Sequence, residues 1–300
     1  MGVRVKKMRN QHTRTHTHTH TALPCMSHFL KARIAPTPSG YLHKGNLVAF
    51  LLQKEIALRH GAQLGLRIDD LDRERYRESY LEDIFRCLKA LNIQPDFGPK
   101  DAIDFKLHYR QELRLECYME VLQLLNEKHL LYACECSRSE IDTHPGKGCP
   151  RYCKEKQLPL ETSNTILRLN CATDAEVQWQ DGFLGHVKIN ITEAMGDVVI
   201  RRRDGLPAYQ ITSLTDDHNM NIGLIVRGQD LLHSTAVQLY ISEQLWGKQY
   251  TIYYHHPLII DAKGEKLSKS AGASAEPMKI EECLLNELLK ESAHLIDLIL

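Results

Sequence analysis

Residues 29–68 read FLKARIAPTPSGYLHKGNLVAFLLQKEIALRHGAQLGLRI, and this stretch decides the fold class. Residues 29–35 have the apolar content of a short buried strand, which the prolines and glycine of residues 36–40 end. Residues 46–60 show helical periodicity, and residues 64–68 form the next strand. A strand, a Gly/Pro loop, a helix and a strand in so short a stretch predict a βαβ unit. The expected class is therefore α/β, with a parallel sheet and a right-handed crossover.

The rest of the chain continues the alternation of helices and strands. In the first unit, Asn46 is the candidate N-cap of the helix and Gly61 the candidate residue just beyond its end. Further elements are predicted as helices near residues 78–91, 108–128 and 234–246, and as strands at 197–202, 222–227 and 251–260. Residues 132–190 contain weak strands between Cys, Pro and Gly, so we interpret them as an insertion.

Composition excludes several classes of protein. The 300 residues are 43% hydrophobic and 25% charged, which is ordinary for a globular chain and excludes a collagen, a disulfide miniprotein or a wholly disordered protein. No run approaches the ~18 apolar residues of a membrane span, so no membrane partner is expected. The formal net charge is zero, so any contact with nucleic acid must use a local basic patch. Arg201–Arg203 is one candidate, and a solvated hairpin turn is the alternative.

The first residues of the chain look like an appendage. Residues 11–21 read QHTRTHTHTHT, which has no apolar period and cannot contribute to a core. We interpret residues 1–28 as a disordered or non-native extension, with Met26 well placed as the true start. A metal-binding histidine tract is the alternative.

A first motif for chemistry lies in the loop between the first strand and helix. Residues 38–46 read PSGYLHKGN, at the carboxyl edge of a parallel sheet, where such folds bind ligands. A helix N-terminus favours anions; His43 and Asn46 can both project from the first turn, and Gly45 lets a nucleotide approach the backbone. A satisfied histidine in a tight turn is the alternative.

A second motif lies near the end of the chain. Residues 261–270 read DAKGEKLSKS, a polar loop whose lysines could close over a polyphosphate. A lysine can neutralise charge that develops on a transferred phosphoryl group, an effect of roughly 3–4 kcal/mol. Taken alone, this stretch is also compatible with a solvated surface loop.

Four of the nine cysteines are clustered, at positions 134, 136, 149 and 153. Four thiolates within twenty residues suit tetrahedral zinc, and the scattered remainder does not suggest a disulfide framework. We therefore predict one structural Zn²⁺ per chain, held by Cys134, Cys136, Cys149 and Cys153, in a protein of the reducing cytoplasm. Free core thiols or a redox pair are the alternatives, and His144 is not expected to be a ligand.

The two motifs together resemble the signature motifs of class I aminoacyl-tRNA synthetases. The stretches RIAPTPSGYLH (33–43), LRIDDLDRER (66–75) and VRGQDLL (226–232) are similar to the glutamyl group. Only thirty residues follow Ser270, whereas a glutamyl-tRNA synthetase would continue into an anticodon-binding domain. A catalytic half with a cysteine cluster resembles the glutamyl-queuosine tRNA(Asp) synthetases.

The resemblance implies an enzyme that activates glutamate with ATP and Mg²⁺ and esterifies it onto queuosine at the wobble position of tRNA(Asp). The expected partners are glutamate, ATP and the anticodon arm of the tRNA, and the expected state is a monomer. Three alternatives stay open: a minimal synthetase that charges a tRNA 3′ end, a non-catalytic tRNA-binding paralogue, and a related nucleotide transferase acting on a small molecule.

The resemblance also assigns roles to single residues. For glutamate, it implies binding by Arg33, Ala35, Thr37, Asp69, Tyr209 and Arg227. For ATP, it implies binding by His43, Gly45, Asn46, Lys266 and Lys269, of which His43, Asn46 and Lys269 are the expected catalytic residues. Arginine pairs with carboxylates through two N–H groups, while Asp69 stands where relatives have glutamate for the substrate amine.

The predicted architecture is a Rossmann-like class I synthetase catalytic domain with a zinc-containing insertion and a short helical C-terminal segment. Its predicted parts are the N-terminal extension (1–28), the first half of the catalytic domain (29–131), the insertion (132–190), the second half (191–260) and the Lys-Leu-Ser-Lys-Ser loop with the C-terminal segment (261–300).

Overall fold

The structure is a computed structural model that describes residues 30–144, 149, 152–172, 174–259 and 276–299. Its strands are β1 (Lys31–Ile34), β2 (Gln63–Leu66), β3 (Leu131–Cys134), β4 (Ile166–Leu169), β5 (Glu176–Asp181), β6 (Gly185–Asn190), β7 (Val199–Arg201), β8 (Leu224–Gly228) and β9 (Ile252–His256). Its α-helices are α1 (Lys44–Arg59), α2 (Glu78–Ala90), α3 (Ala102–Asp104), α4 (Leu115–Glu127), α5 (Arg138–Asp142), α6 (Cys153–Lys156), α7 (Ile191–Met195), α8 (Tyr209–Asn219), α9 (Leu232–Trp246) and α10 (Glu282–Asp297).

A six-stranded sheet of order β2-β1-β8-β9-β5-β6 forms the centre of the molecule. All neighbouring strands are parallel except the β5–β6 hairpin. The predicted βαβ unit is confirmed, because β1 and β2 pair in parallel across α1. The last three residues of β1 and of β2 are buried, as expected for parallel strands with helices packed over them.

The start of α1 differs from the prediction. The helix begins at Lys44 with His43 as its N-cap, so Asn46 as N-cap is wrong. Asn46 instead occupies the third helical position, and its Oδ1 accepts a hydrogen bond from the His43 backbone N–H at 3.2 Å. This reciprocal arrangement shifts the helix start by one turn relative to the residue with the best capping side chain. Gly61 does follow the C-cap His60, with φ of 61°.

A second, antiparallel sheet has the order β3-β4-β7. Its core is shared with α4, α8 and α9. The stretch interpreted as an insertion contributes to both sheets: β3 and β4 belong to the small one, whereas the β5–β6 hairpin joins the large one beside β9. The division into domains stays a prediction.

The predicted single helix over residues 108–128 is wrong. A π-helical turn at Phe105–Tyr109 and a 3-10 turn at Gln111–Arg114 precede α4, with Arg110 extended between them. The reason is a pair of long-range hydrogen bonds. Asp70 Oδ1 accepts from the Gln111 backbone N–H at 2.8 Å, and Gln111 Oε1 accepts from the Leu71 backbone N–H at 2.9 Å.

Helix α10 packs on α1 and closes the main core, with Leu288 fully buried. Lys44 Nζ at the start of α1 lies 2.8 Å from Glu287 and 2.9 Å from Glu291. Among the described residues, none of the helices combines the length and the apolar character that crossing a bilayer requires.

Candidate functional site

A cavity of about 510 Å³ opens where β1, β2 and β8 end and α1 begins. The walls contain every predicted site residue that the structure describes outside the cysteine cluster, namely Arg33, Ala35, Thr37, His43, Gly45, Asn46, Asp69, Tyr209 and Arg227. Lys266 and Lys269 lie outside the described residues. The carboxyl edge of a parallel sheet is the expected position for such a site, because loops diverge there and leave a crevice.

Arg33, Arg67 and Asp69 form the floor of the cavity, and the two arginines pair with Asp217, which is buried and does not line the cavity. Arg33 Nε and Nη2 donate to the two carboxylate oxygens of Asp217 at 2.8 and 3.2 Å. Arg67 bridges Asp217, at 2.7 Å, and Asp69, at 2.7 and 2.9 Å. Burial works against ionisation of Asp217, but Arg33 and Arg67 outweigh it and hold its pKa below the ordinary carboxyl value.

The pKa of Asp69 is shifted in the opposite direction from the pKa of Asp217. Burial raises the pKa of Asp69 above its ordinary value, against the opposing effect of Arg67. Its carboxylate lines the cavity and is held in orientation by the Arg67 guanidinium. This arrangement lets Asp69 gain a cationic partner from a ligand without moving.

Arg227 differs from Arg33 and Arg67 in its hydrogen bonding. It is 5% exposed, its Nη1 donates to Gln238 Oε1 at 3.0 Å, and its guanidinium lies 5.7 Å from the ring centroid of Tyr253. Its Nε and Nη2 have no hydrogen-bond partner among the described residues. Buried donors without partners are costly, so this guanidinium suits a bound carboxylate, which accepts two parallel hydrogen bonds.

The first turn of α1 also forms part of the cavity wall. Backbone N–H groups of a helix start and the helix dipole favour an anion there. His43 and Asn46 flank this turn, and Gly45 presents backbone without a side chain. The wall also includes Gly228, Asp230 and His256, from β8, the turn after it and β9.

Two important residues were not predicted from the sequence. Arg67 stands within the motif LRIDDLDRER and carries the signal of a charged residue at a strand end, but it was not singled out. Asp217 lies on α8, a helix that the sequence reading missed. The same helix provides Ser213, whose backbone carbonyl and Oγ accept from Arg67 at 3.1 and 3.0 Å.

The predicted cysteine cluster is a second site, away from the cavity in sequence and on the small sheet. The Sγ atoms of Cys134, Cys136, Cys149 and Cys153 all lie within 4.8 Å of one another. Three of the pairs are separated by 3.6, 3.3 and 3.8 Å. Four sulfurs at the usual Zn–S distance of about 2.3 Å form a tetrahedron with edges of about 3.8 Å. The cluster is therefore compatible with a zinc ion.

The basic residues Arg201–Arg203, close to this cluster, form hydrogen bonds and an ion pair with other residues of the chain. Arg203 Nη2 donates to the Cys136 backbone carbonyl at 2.8 Å, and Arg202 pairs with Asp204 across the turn. Arg201 donates to the Leu160 carbonyl at 3.3 Å. These contacts favour the hairpin-turn interpretation of Arg201–Arg203 over an RNA-binding patch.

Comparison with known proteins agrees with this fold. The family model for the catalytic domain of class I tRNA synthetases (E and Q) matches residues 30–282. The molecule is thus a class I synthetase catalytic domain, and the α/β class is confirmed. The chain is 36% identical over 258 residues to a glutamyl-Q tRNA(Asp) synthetase of Cupriavidus metallidurans, with 83% of this chain and 80% of that protein covered. With one of Pseudomonas fluorescens the identity is 39%, covering 79% and 75%. This chain belongs to the glutamyl-Q tRNA(Asp) synthetase family.

Solved structures of longer synthetases share the fold. The glutamate-tRNA synthetase of Elizabethkingia anophelis superposes with a TM-score of 0.67 at 25% identity, covering 81% of this chain and 53% of that one. A glutamate tRNA ligase of Elizabethkingia meningosepticum, solved in complex with its amino acid, gives 0.66 at 25% identity, covering 80% and 52%. This chain therefore spans about half the length of these enzymes.

Proposed function

We propose that this protein activates glutamate with ATP and transfers it to queuosine at the wobble position of tRNA(Asp). The name of its relatives supports the reaction. The single structural observation that carries it is Arg227, a buried guanidinium with unpaired donors in the wall of a cavity that also holds Asp69. A ligand with both an anionic and a cationic group complements this pair, and an amino acid with an acidic side chain is such a ligand.

The cavity offers the groups that glutamate needs. Arg227 receives a carboxylate of glutamate, and Arg33, fixed by Asp217, adds positive charge beside it. Asp69 receives the α-ammonium group, since Arg67 already orients its carboxylate. Tyr209, Thr37 and Ala35 complete the amino-acid end by hydrogen bonding and by shape. Because Arg33, Arg67 and Asp217 bind one another, these groups keep their positions before the substrate arrives.

ATP occupies the other end of the cavity. His43, Gly45 and Asn46 hold its phosphates at the α1 N-terminus, and Lys266 and Lys269 contribute positive charge to their binding. A carboxylate oxygen of glutamate attacks the α-phosphorus, and pyrophosphate leaves with its charge neutralised by Lys269. Mg²⁺ bound with ATP would supply further screening of the phosphates. A hydroxyl of queuosine then attacks the activated carbonyl, an ester forms, and AMP leaves.

The partners and setting follow from the same proposal. The tRNA presents its anticodon arm to the cavity, and the chain acts as a cytoplasmic monomer. Zinc, held by Cys134, Cys136, Cys149 and Cys153, has a scaffolding role, because four protein ligands leave no open position for chemistry.

Transfer of labelled glutamate tests this proposal. Three purified acceptors are compared: tRNA(Asp) with queuosine, tRNA(Asp) with unmodified guanosine, and glutamate tRNA. We expect ATP-dependent label on the queuosine-bearing tRNA(Asp) alone, and periodate treatment of that tRNA, which cleaves the queuosine diol, should abolish it.

Three outcomes contradict the proposal. Label on glutamate tRNA would make the chain a minimal synthetase that charges a 3′ end. Glutamate-dependent ATP–pyrophosphate exchange without transfer to any of the three tRNAs would indicate a different acceptor. Absence of exchange would remove the activation step itself.

A further inference from the structure

Gln238 is a buried residue of α9 that contacts Arg227, the arginine proposed to receive a carboxylate of glutamate. It is 2% exposed, and its Oε1 accepts a hydrogen bond from Arg227 Nη1 at 3.0 Å. Because a guanidinium group only donates hydrogen bonds, the amide oxygen of Gln238 must be the atom that faces it. Arg227 lines the cavity and Gln238 does not, so Gln238 holds the guanidinium from outside the cavity.

The guanidinium edges of the three cavity arginines show what this contact leaves free. Arg33 and Arg67 each bind a carboxylate with two hydrogen bonds, and both use Nε and Nη2 to do so. The Nε and Nη2 atoms of Arg227 have no hydrogen-bond partner in the described part of the chain. Since Gln238 occupies Nη1, the edge left free on Arg227 is the edge that binds carboxylates at the other two arginines.

The direct partners of Arg227 are uncharged, whereas Arg33 and Arg67 are paired with carboxylates. Besides the Gln238 amide, the guanidinium of Arg227 has the ring of Tyr253 beside it, at 5.7 Å from the ring centroid. Arg227 contributes to the low pKa of Asp217, but the Asp217 oxygens accept their hydrogen bonds from Arg33 and Arg67. A neutral amide fixes a guanidinium without cancelling its charge, so that charge stays available to a ligand.

We infer that Gln238 is a positioning residue: it presents the free edge of Arg227 to a carboxylate of glutamate, and its lack of charge keeps this arginine selective for an anionic ligand. The inference rests on the proposed function, because it takes glutamate as the ligand. A carboxylate at position 238 could hold the guanidinium equally well, but it would repel the bound carboxylate.

Two replacements separate the position of the guanidinium from its charge. Gln238→Glu keeps the length and an acceptor oxygen but adds a negative charge. Its second oxygen replaces Nε2, which has no partner among the described residues, and the side chain lines a second cavity of about 240 Å³ that leaves room for the change. Gln238→Met keeps the length and removes the acceptor. Gln244→Glu and Gln244→Met, at a half-buried position of the same helix, are the matched controls.

The test is glutamate-dependent ATP–pyrophosphate exchange with the full chain. The KM for glutamate, the KM for ATP and kcat are measured for wild type and the four variants. Glutamine and glutamate α-amide are added as competitors, because each of them lacks the charge of one carboxylate of glutamate. Thermal unfolding of every variant establishes that it is folded.

The expected result is a loss of glutamate binding that depends on charge. A carboxylate about 6 Å from the bound one, at an effective dielectric constant of about 20, should raise the KM for glutamate about 10²-fold in Gln238→Glu. Gln238→Met should raise it about tenfold, since only the hydrogen bond that fixes Arg227 is lost. The KM for ATP and kcat should stay unchanged in both. The amide competitor that lacks the carboxylate bound by Arg227 should bind Gln238→Glu nearly as well as wild type, whereas the other should be weakened as glutamate is.

Two results would overturn the inference. One is an unchanged KM for glutamate in Gln238→Glu. The other is equal weakening of glutamate and both amides together with a raised KM for ATP, which would indicate a structural role. If Gln238→Glu does not fold, Gln238→Met decides, and an unchanged KM for glutamate in that variant overturns the inference. Absence of exchange in the wild type would instead contradict the proposed function, so the two failures are distinguishable.

Discussion

Beneath the cavity, the buried Asp217 lies between the guanidinium groups of Arg33 and Arg67, whereas the cysteine cluster brings four sulfur atoms together at distances such as 3.3 and 3.8 Å. The first region balances its own charges with side chains from β1, β2 and α8. The second gathers ligand atoms of one kind, and four thiolates together require a cation. The cavity floor is therefore held together by its own ion pairs, whereas the cluster would need a bound cation to balance four thiolates.

Arg227 should contribute to glutamate binding but not to the stability of the fold, and its replacement should have the largest effect on activity. We expect Arg227→Met to lower kcat/KM for glutamate in ATP–pyrophosphate exchange by about 10²- to 10⁴-fold, because two charge-assisted hydrogen bonds are lost. The free energy of unfolding should be unchanged or higher, since a buried guanidinium with unpaired donors is removed. Denaturant unfolding checks this, and a large destabilisation would show that Arg227 belongs to the self-balanced network.

Replacement of Asp217, unlike that of Arg227, should destabilise the fold. Asp217→Asn leaves two buried arginines short of a charge, and we expect the free energy of unfolding to fall by about 3–5 kcal/mol. Activity should fall as well, because Arg33 and Asp69 lose their fixed positions. Asp204→Asn, on the exposed turn beside Arg202, is the matched control and should change stability by less than about 1 kcal/mol. A stable, active Asp217→Asn protein is incompatible with a floor organised by charge pairs.

Removal of the metal tests the role of the cysteine cluster. Freshly purified, reduced protein should contain about one zinc per chain. Cys153→Ser should lose it and lower the melting temperature, whereas Cys283→Ser, at an exposed cysteine of α10, should keep it. Glutamate-dependent exchange at low temperature should persist in the zinc-free variant, because no cluster residue lines the cavity. Finding no zinc by metal analysis would end the metal interpretation.

The smallest expected effect is on acid stability. The pKa of Asp217 is lower in the folded chain than the ordinary value near about 4, so its contribution is present above that pH and is lost as pH falls through the folded value. The difference in free energy of unfolding between wild type and Asp217→Asn should therefore narrow only below about pH 4. Zinc should leave at a higher pH, because protons compete for the thiolates. The prediction is contradicted if the difference in free energy of unfolding between wild type and Asp217→Asn already narrows near neutral pH.

The features that depend on local sequence pattern could be predicted from the sequence. Strand, loop and helix periodicity between residues 29 and 68 predicted the βαβ unit, and spacing alone brought the four cysteines together. It did not predict the break before α4, which depends on Asp70 reaching Gln111 about forty residues away. It also missed α8, whose buried polar residues Ser213, Asp216 and Asp217 give a weak apolar pattern because they serve arginines from distant elements.

The strand order has a consequence for synthesis on the ribosome. β1 lies between β2 and β8, so one edge of it has no partner until residue 224 has been made. At about 5–20 residues per second, the wait after β2 lasts roughly 10–30 s. An unpaired apolar strand edge is prone to pair with other chains during that time. Slow translation should therefore favour aggregation of the nascent chain, and a chaperone that covers the first βαβ unit should increase the yield of folded protein.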